Sequence, residues 1–296
     1  MGKKMLFVYN PKAGKAQIKN KLADILDIFT LGGYEITICP TQKRGDATEL
    51  VAKRDASYDL VVCSGGDGTL DEAVTGMMRS AWRTPIGYIP AGSTNDFGGS
   101  LSLPKNMLQA ARVIVNGTHY ACDIGSFNGD YFVYIAAFGL FTDVSYETAQ
   151  DVKNVLGHMA YLLEGMKRLS AIRSYPMKVT YDDKVIEDDF IFGMVTNSQS
   201  VGGFKRITGK HVKLDDGVFE VTLIKRPKNP MELNNIMVSL LNRDIDSDAM
   251  YCFRAEKVLF ESKEEVAWTR DGEYGGNHTQ VTIINQCKAV DIRVDD

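Results

Sequence analysis

Apolar and polar positions follow two different rhythms along the chain. Through the first 120 residues, short apolar runs alternate with stretches of helical period. "KMLFVYN" precedes a 3.6-residue pattern from Ala16 to Leu31, and "YEITIC" precedes a helical pattern from Asp46 to Arg54. "DLVVCS" leads into "TLDEAVTGMMRS", and "PIGYIP" leads through "TNDFGGSL" into "NMLQAARVIVNG". The runs are continuously apolar, as strands covered on both faces require. Strand and helix in turn predict a Rossmann-like parallel sheet with helices on its faces.

The rhythm changes near Asp123. "YFVYIAAFG", "MKVTYDD", "KVIEDDFIFGMVTN", "GVFEVTLIKR", "MYCFRAEKVLFES", "EEVAWTRDGE" and "TQVTIINQ" all read as strands joined by polar turns. This half predicts an antiparallel β-sandwich or barrel. Helical patterns interrupt it at Asp151 to Leu169 and at Met231 to Leu241. The expected fold class is therefore α/β plus β, with domains at 1–123 and 124–289. The last pattern, "AVDIRV", either pairs within the β domain or returns at 290–296 to the first sheet.

Composition narrows the function. The 296 residues are 44% apolar and 24% charged, which suits a globular protein with a substantial core. A net charge of −4 gives no global basic field, so nucleic acid is not an expected partner. Five cysteines without a C-x-x-C spacing suggest a reducing compartment. Four histidines, none in an H-E-x-x-H frame, speak against a zinc hydrolase. "MLFVY" is short for a signal peptide, and "FVYIAAFGLF" is too short to span a bilayer. The expected location is cytoplasmic, with any membrane contact peripheral.

The candidate chemistry lies in the loops after the first four strands. These read "NPKAGK" (Asn10 to Lys15), "PTQKRGDA" (Pro40 to Ala47), "SGGDGT" (Ser64 to Thr69) and "PAGSTNDF" (Pro90 to Phe97). Open parallel sheets bind ligands outside the carboxyl ends of their strands. Glycines admit an anion to the backbone N–H groups, and a following helix N-terminus favours negative charge. Asn10, Thr69, Ser93 and Thr94 can donate to phosphate oxygens. Neither G-x-x-x-x-G-K-[ST] nor G-x-G-x-x-G is present, which leaves Walker-type NTPases and standard dinucleotide folds poorly supported.

Asp67 stands inside the glycine loop, with Asp71 and Glu72 close behind. Beside phosphate, these carboxylates need a cation. Mg²⁺ takes hard oxygen ligands and keeps several waters, so Asp67, Asp96 and Asp123 are candidates to surround one. Each could equally serve as a turn or N-cap aspartate.

"GGDGT", flanked by "NPKAGK" and "STNDF", resembles the catalytic domain of diacylglycerol kinases and, more broadly, the lipid kinases that include sphingosine kinases. "VSYET" (Val144 to Thr148), "KLDDGVFEV" (Lys213 to Val221) and "DGEYGG" (Asp271 to Gly276) are similar to the soluble bacterial diacylglycerol kinases. The resemblance spans essentially the whole chain, although GGDG alone also occurs in NAD kinases and phosphofructokinases. It implies a nucleotide-binding domain and a lipid-substrate β-sandwich domain, with the active site between them. It places ATP against Asn10, Pro11, Lys12, Ala13, Gly14, Thr41, Gly66, Asp67, Gly68, Thr69, Leu70, Asp71, Glu72 and Thr94. It places Mg²⁺ on Asp216 with backbone oxygens of Lys213 and Val218, linked through water to Asp67, Asp96 and Asp123. It makes Glu273 the general base, with Asp271 beside it. Asp71 departs from the family's usual asparagine, and Gly92-Ser93-Thr94 stands where "GT" is common.

The implied reaction is transfer of the ATP γ-phosphoryl group to a lipid hydroxyl, diacylglycerol foremost. "GLFTDVSY", "KRLSAIRS" and "LIKRPK" (Leu223 to Lys228) could meet lipid and anionic headgroups, or could be core and solvated surface. Two alternatives stand beside this reading: a soluble-substrate kinase of the NAD kinase type, and a nucleotide-binding regulator without turnover. An exposed β edge, and the family, suggest a homodimer.

Overall fold

A computed structural model describes residues 2–140, 172–198, 200–201, 204–205, 212–242 and 248–295. The helical pattern at Asp151 to Leu169 and the motif at Val144 to Thr148 lie outside these residues. The chain forms two compact units, one of Met1–Ile124 with Cys287–Asp296 and one of Gly125–Gln286.

The first unit alternates strand and helix. Its elements are β1 (Lys3–Tyr9), α1 (Ile18–Leu31), β2 (Tyr34–Pro40), α2 (Asp46–Ala52), β3 (Leu60–Gly65), α3 (Asp67–Arg79), β4 (Ile86–Pro90), α4 (Asp96–Ser100), α5 (Met107–Asn116) and β5 (Thr118–Phe127). The strands pair in parallel in the order β2, β1, β3, β4. Residues 5–8 of β1 and all of β3 and β4 are buried, which is why these runs do not alternate. By contrast "YEITIC" of β2, at the sheet edge, has no buried residue and alternates, against the expectation of a continuous apolar run. Met5, Phe7, Val62 and Ile89 of the sheet form one core with Ile25 and Phe29 of α1 and Ala111 and Ile114 of α5. Phe7 and Phe29 meet edge-to-face at 5.6 Å. Burying each such ring contributes roughly 1.5–3 kcal/mol. Helix α1 begins at Ile18, two residues beyond the start of its sequence pattern, because Ala16 turns through a positive φ of 53°.

The second unit is antiparallel. After β5 come β6 (Asp130–Phe132), β7 (Ile135–Gly139), β8 (Tyr175–Tyr181), β9 (Lys184–Thr196), β10 (Ser200–Val201), β11 (Phe204–Lys205), β12 (Phe219–Lys225), α6 (Pro230–Asn242), β13 (Met250–Ala255), β14 (Lys257–Arg270) and β15 (Glu273–Val294). The long strands β9 and β14 each pair with β8 along one part and β7 along another. Strand β9 continues through β12 to β13. Phe138, Trp268, Phe260 and Phe219 fill one face of this system. Ala137, Ile191, Met194 and Ile224 fill the other with Ile236 of α6. Cover on both faces explains the unbroken apolar stretch "FIFGMV".

Three strand patterns divide differently from expectation. "YFVYIAAFG" is two strands broken at Val133 and Tyr134, whose N–H groups turn onto the Asp271 carboxylate. "MYCFRAEKVLFES" breaks after Ala255, and its second part runs on through "EEVAWTR" as the single strand β14. "TQVTIINQ" and "AVDIRV" belong to one strand, β15. Its end, from Cys287 on, belongs to the first unit and pairs there with β4, Ile292 beside Ile86.

Candidate active site

The four loops predicted to hold phosphate leave one edge of the parallel sheet. The register sets Tyr9 beside Pro40 and Ser64, and Gly65 beside Pro90, so the loops depart at one level. Backbone hydrogen bonds tie them together. Thr41 N donates to Tyr9 O at 2.9 Å, Asn10 N to Ser64 O at 2.8 Å, and Ala91 N to Gly65 O at 2.8 Å. Two glycines make the crowding possible. Gly14 has a φ of 52°, and a Cβ there would come within 2.3 Å of Ala91 O. A Cβ on Gly92 would lie 2.6 Å from Gly66 Cα. The edge is therefore bare backbone, as close approach by an anion requires.

Within the loops, Asn10 Oδ1 accepts from Lys12 N at 2.9 Å, which shapes the turn through Pro11 and Ala13. Lys12 and Gly14 are exposed, and Thr41 is half-buried. Gly66 is the N-cap of α3, so Asp67, Gly68 and Thr69 form its first turn and its positive end lies at the glycine loop. Thr69 and Leu70 are buried, and the Oδ1 atoms of Asp67 and Asp71 are closed to solvent. Thr94 is exposed at the tip of the fourth loop. Asp96 is buried at the start of α4. Asp123 is fully buried on β5, where its Oδ1 accepts from Lys288 N at 2.8 Å.

Glu72 faces away from the glycine loop. Its Oε1 accepts from Gly45 N at 2.8 Å and its Oε2 from Ala47 N at 3.1 Å. It thereby binds α3 to the start of α2. Two further residues were not singled out by sequence. Asn95, at a φ of 53°, closes the fourth loop by accepting from Gly92 N and donating to Gly92 O, both at 2.9 Å. Its place in "STND" is a turn signal. Tyr88 carries its hydroxyl beneath the glycine loop, donating to Gly65 O at 3.1 Å and lying 3.2 Å from Asn95 Oδ1. Burial, and then the charge of Asp67, push the Tyr88 phenol well above its usual pKa. In an apolar run a tyrosine reads as core, so no local signal marks it.

In the second unit, "KLDDGVFEV" forms a turn entering β12. Gly217 adopts a φ of 80°, and Val218 N approaches Asp216 Oδ1 at 3.4 Å. Asp216 Oδ2 pairs with the Arg254 guanidinium. Arg254 Nε also meets Glu220 Oε1 at 3.3 Å, because the strand register sets Glu220 directly opposite Arg254. Burial raises the Glu220 carboxyl to about 7, with Arg254 opposing and Asp216 adding to the rise. Among the described residues, no cluster of three His, Cys, Asp or Glu side chains forms a metal site. A carboxylate with two backbone carbonyls is nonetheless a hard oxygen donor set, and Glu220 Oε2, on the other acid paired with Arg254, is buried without a hydrogen-bond partner among the described residues. These residues fit a divalent ion such as Mg²⁺.

The β14–β15 hairpin turns on Asp271 and Gly272, with φ of 48° and 83°, as a tight two-residue Asp-Gly turn demands. The Asp271 carboxylate is buried and accepts from Val133 N at 2.6 Å and from Tyr134 N and Ile135 N, both at 3.0 Å. Its own N–H donates to Ile135 O at 2.9 Å. Glu273, two residues on, is half-buried at the start of β15. Asp271 thus anchors the hairpin that carries Glu273.

A parallel sheet with a glycine-rich ligand edge, joined to an antiparallel β unit, defines a class of two-domain α/β plus β proteins. Residues 4–127 match the diacylglycerol kinase catalytic domain, and residues 137–293 match the YegS C-terminal NAD kinase beta sandwich-like domain. The chain is 34% identical over 277 residues to the diacylglycerol kinase of Bacillus subtilis (strain 168), covering 93% of this chain and 91% of that one. It is 35% identical to the diacylglycerol kinase of Staphylococcus carnosus (strain TM300), covering 93% and 90%. A diacylglycerol kinase crystal structure from Bacillus anthracis str. Sterne superposes with a TM-score of 0.77 at 25% identity, over 99% of this chain and 97% of that one. The chain belongs to the diacylglycerol kinase family and is a kinase, a phosphoryl-transferring enzyme.

Proposed function

We propose that the protein transfers the γ-phosphoryl group of ATP to the free hydroxyl of diacylglycerol, releasing phosphatidic acid and ADP. The observation that carries this reading is the gathering of four glycine- and hydroxyl-rich loops at one sheet edge, in a chain of this family. The first unit supplies the nucleotide site, through Asn10 to Gly14, Thr41, Gly66 to Glu72 and Thr94. Backbone N–H groups and the α3 N-terminus receive the phosphates, while Glu72 acts by holding two loops in place. The second unit supplies the lipid-facing chemistry. Glu273 takes the hydroxyl proton as the new O–P bond forms and the bond to ADP breaks. Asp271 fixes the hairpin that presents it. Lys213, Asp216 and Val218 of the second unit would hold Mg²⁺. When bound, the ion would supply a fixed positive charge that neutralises phosphate.

A bilayer lipid as acceptor makes the enzyme a cytoplasmic protein that meets the membrane peripherally. No helix among the described residues is long and apolar enough to cross a membrane. Strand β13 pairs only with β12 among the described strands, which leaves an edge suited to a homodimer. The test is transfer from labelled ATP, with Mg²⁺, to diacylglycerol in mixed micelles, with NAD as a parallel acceptor. Labelled phosphatidic acid is expected, reduced by about 10²- to 10⁴-fold in Glu273→Gln. Label in NAD alone would move the protein to soluble-substrate chemistry. ATP binding without transfer would make it a regulator.

A further inference from the structure

The candidate cation site of the second unit carries a cation of its own. Arg254 stands on β13 directly opposite Glu220 on β12, and this register sets its side chain beside the two acids. One guanidinium nitrogen pairs with Asp216 Oδ2, and Nε meets Glu220 Oε1 at 3.3 Å. Asp216 is the single side-chain donor of the donor set named above. Its other oxygen has only the long contact from Val218 N at 3.4 Å. The Glu220 side chain is 10% exposed and keeps Oε2 buried, so the Arg254 guanidinium is shared by two acidic side chains.

We infer that Arg254 competes with the divalent ion for Asp216, acting as a built-in countercharge that weakens metal binding at this site. The inference rests on the proposed placement of the ion at Asp216 and adds a residue that tunes it. A guanidinium satisfies a carboxylate through directed N–H bonds but cannot be displaced into solvent at no cost, since Glu220 also holds it. Metal entry at Oδ1 sets the ion beside the guanidinium, and entry at Oδ2 breaks the Arg254–Asp216 pair. Removing the guanidinium's charge takes away the countercharge that Asp216 and Glu220 share. Glu220 then becomes a further oxygen donor of the hard type that Mg²⁺ prefers.

The experiment is thermal unfolding against MgCl₂ concentration at constant ionic strength, without ATP or lipid. Wild type, Arg254→Gln and Asp216→Asn would run together. Ligand that binds only the folded state raises Tm with concentration, so the curve reports affinity without any assay of turnover. Arg254→Gln is expected to reach its half-maximal shift at about tenfold lower Mg²⁺, the scale set by removing one like charge beside a divalent ion. Asp216→Asn is expected to abolish the shift. An Mg²⁺ response in Arg254→Gln equal to or weaker than wild type, with Asp216→Asn still abolishing it, would overturn the competition while leaving the ion at Asp216. A shift that survives Asp216→Asn, or no shift in any of the three, would overturn the placement of the ion and the competition with it. Isothermal titration of MgCl₂ into Arg254→Lys serves if the glutamine variant is unfolded. Lysine keeps the charge without the two-point hold, and an affinity tighter than wild type is expected.

Discussion

Glu72 Oε1 lies 2.8 Å from Gly45 N, and its second oxygen accepts from Ala47 N. One carboxylate on the helix after the glycine loop thus holds the start of the helix after the second loop. Thr48 strengthens the link by donating its hydroxyl to Glu72 O at 3.0 Å. In Glu72→Gln, one amide position turns a donor toward a backbone donor. The expected loss is about 2 kcal/mol, since hydrogen bonds to charged groups contribute roughly 1.5–3 kcal/mol each. Urea denaturation checks this, and a midpoint equal to wild type would remove Glu72 as the tie. A rise in KM for ATP larger than the fall in kcat is expected alongside, because the altered group sits behind the loops.

Gly92 tests whether the loop edge works as bare backbone. Alanine there brings Cβ to 2.6 Å from Gly66 Cα and 2.8 Å from Asn95 Oδ1. The two loops must then part, at a cost of roughly 1–3 kcal/mol. Calorimetric titration of ADP should show affinity reduced by about tenfold or more in Gly92→Ala, a loss of the same 1–3 kcal/mol order. Unchanged affinity would show that nucleotide does not use the space between these loops.

Asp271 and Glu273 should separate by what their loss does. Asp271→Asn weakens acceptance from three backbone N–H groups at a buried position, so a destabilisation of about 2–3 kcal/mol is expected. Glu273→Gln should melt within about a degree of wild type, as a half-buried isosteric change does. Scanning calorimetry of both variants checks the pair. Equal melting of Asp271→Asn and wild type would mean that the anchor contributes nothing.

Asp46 supplies a pH-dependent contribution in the second loop. Its Oδ2 accepts from Gln42 N at 2.7 Å and Lys43 N at 3.0 Å, and these bonds hold its carboxyl below the ordinary value of 3.8. A depressed carboxylate contributes stability above its unfolded pKa and loses it as pH falls through the folded pKa. Amide exchange at Gln42 and Lys43 should therefore stay protected down to pH 3.8 and open below it. In Asp46→Asn that acid-dependent step should be absent.

Much of this molecule is legible in its amino acids. Continuous apolar runs spaced by 3.6-residue patterns specify the parallel sheet, because a strand covered on both faces has no polar side to show. Strand-like runs joined by polar turns specify the antiparallel half for equally local reasons. The glycine, asparagine and aspartate content of four loops marks the candidate site, since those residues suit turns and anion approach wherever they occur. What the tertiary structure alone decided is which polar groups serve those loops. Glu72 reads as part of a phosphate motif, yet its partners stand 25 and 27 residues earlier in the chain. Asp271 reads as an acid beside the implied base, yet it collects three N–H groups from a segment about 136 residues away. Arg254 meets Asp216 and Glu220 only because β13 pairs with β12 in one register. Local pattern reflects burial and backbone preference, which act residue by residue. Hydrogen-bond partners across the chain depend on register and packing, which exist only once the strands have met.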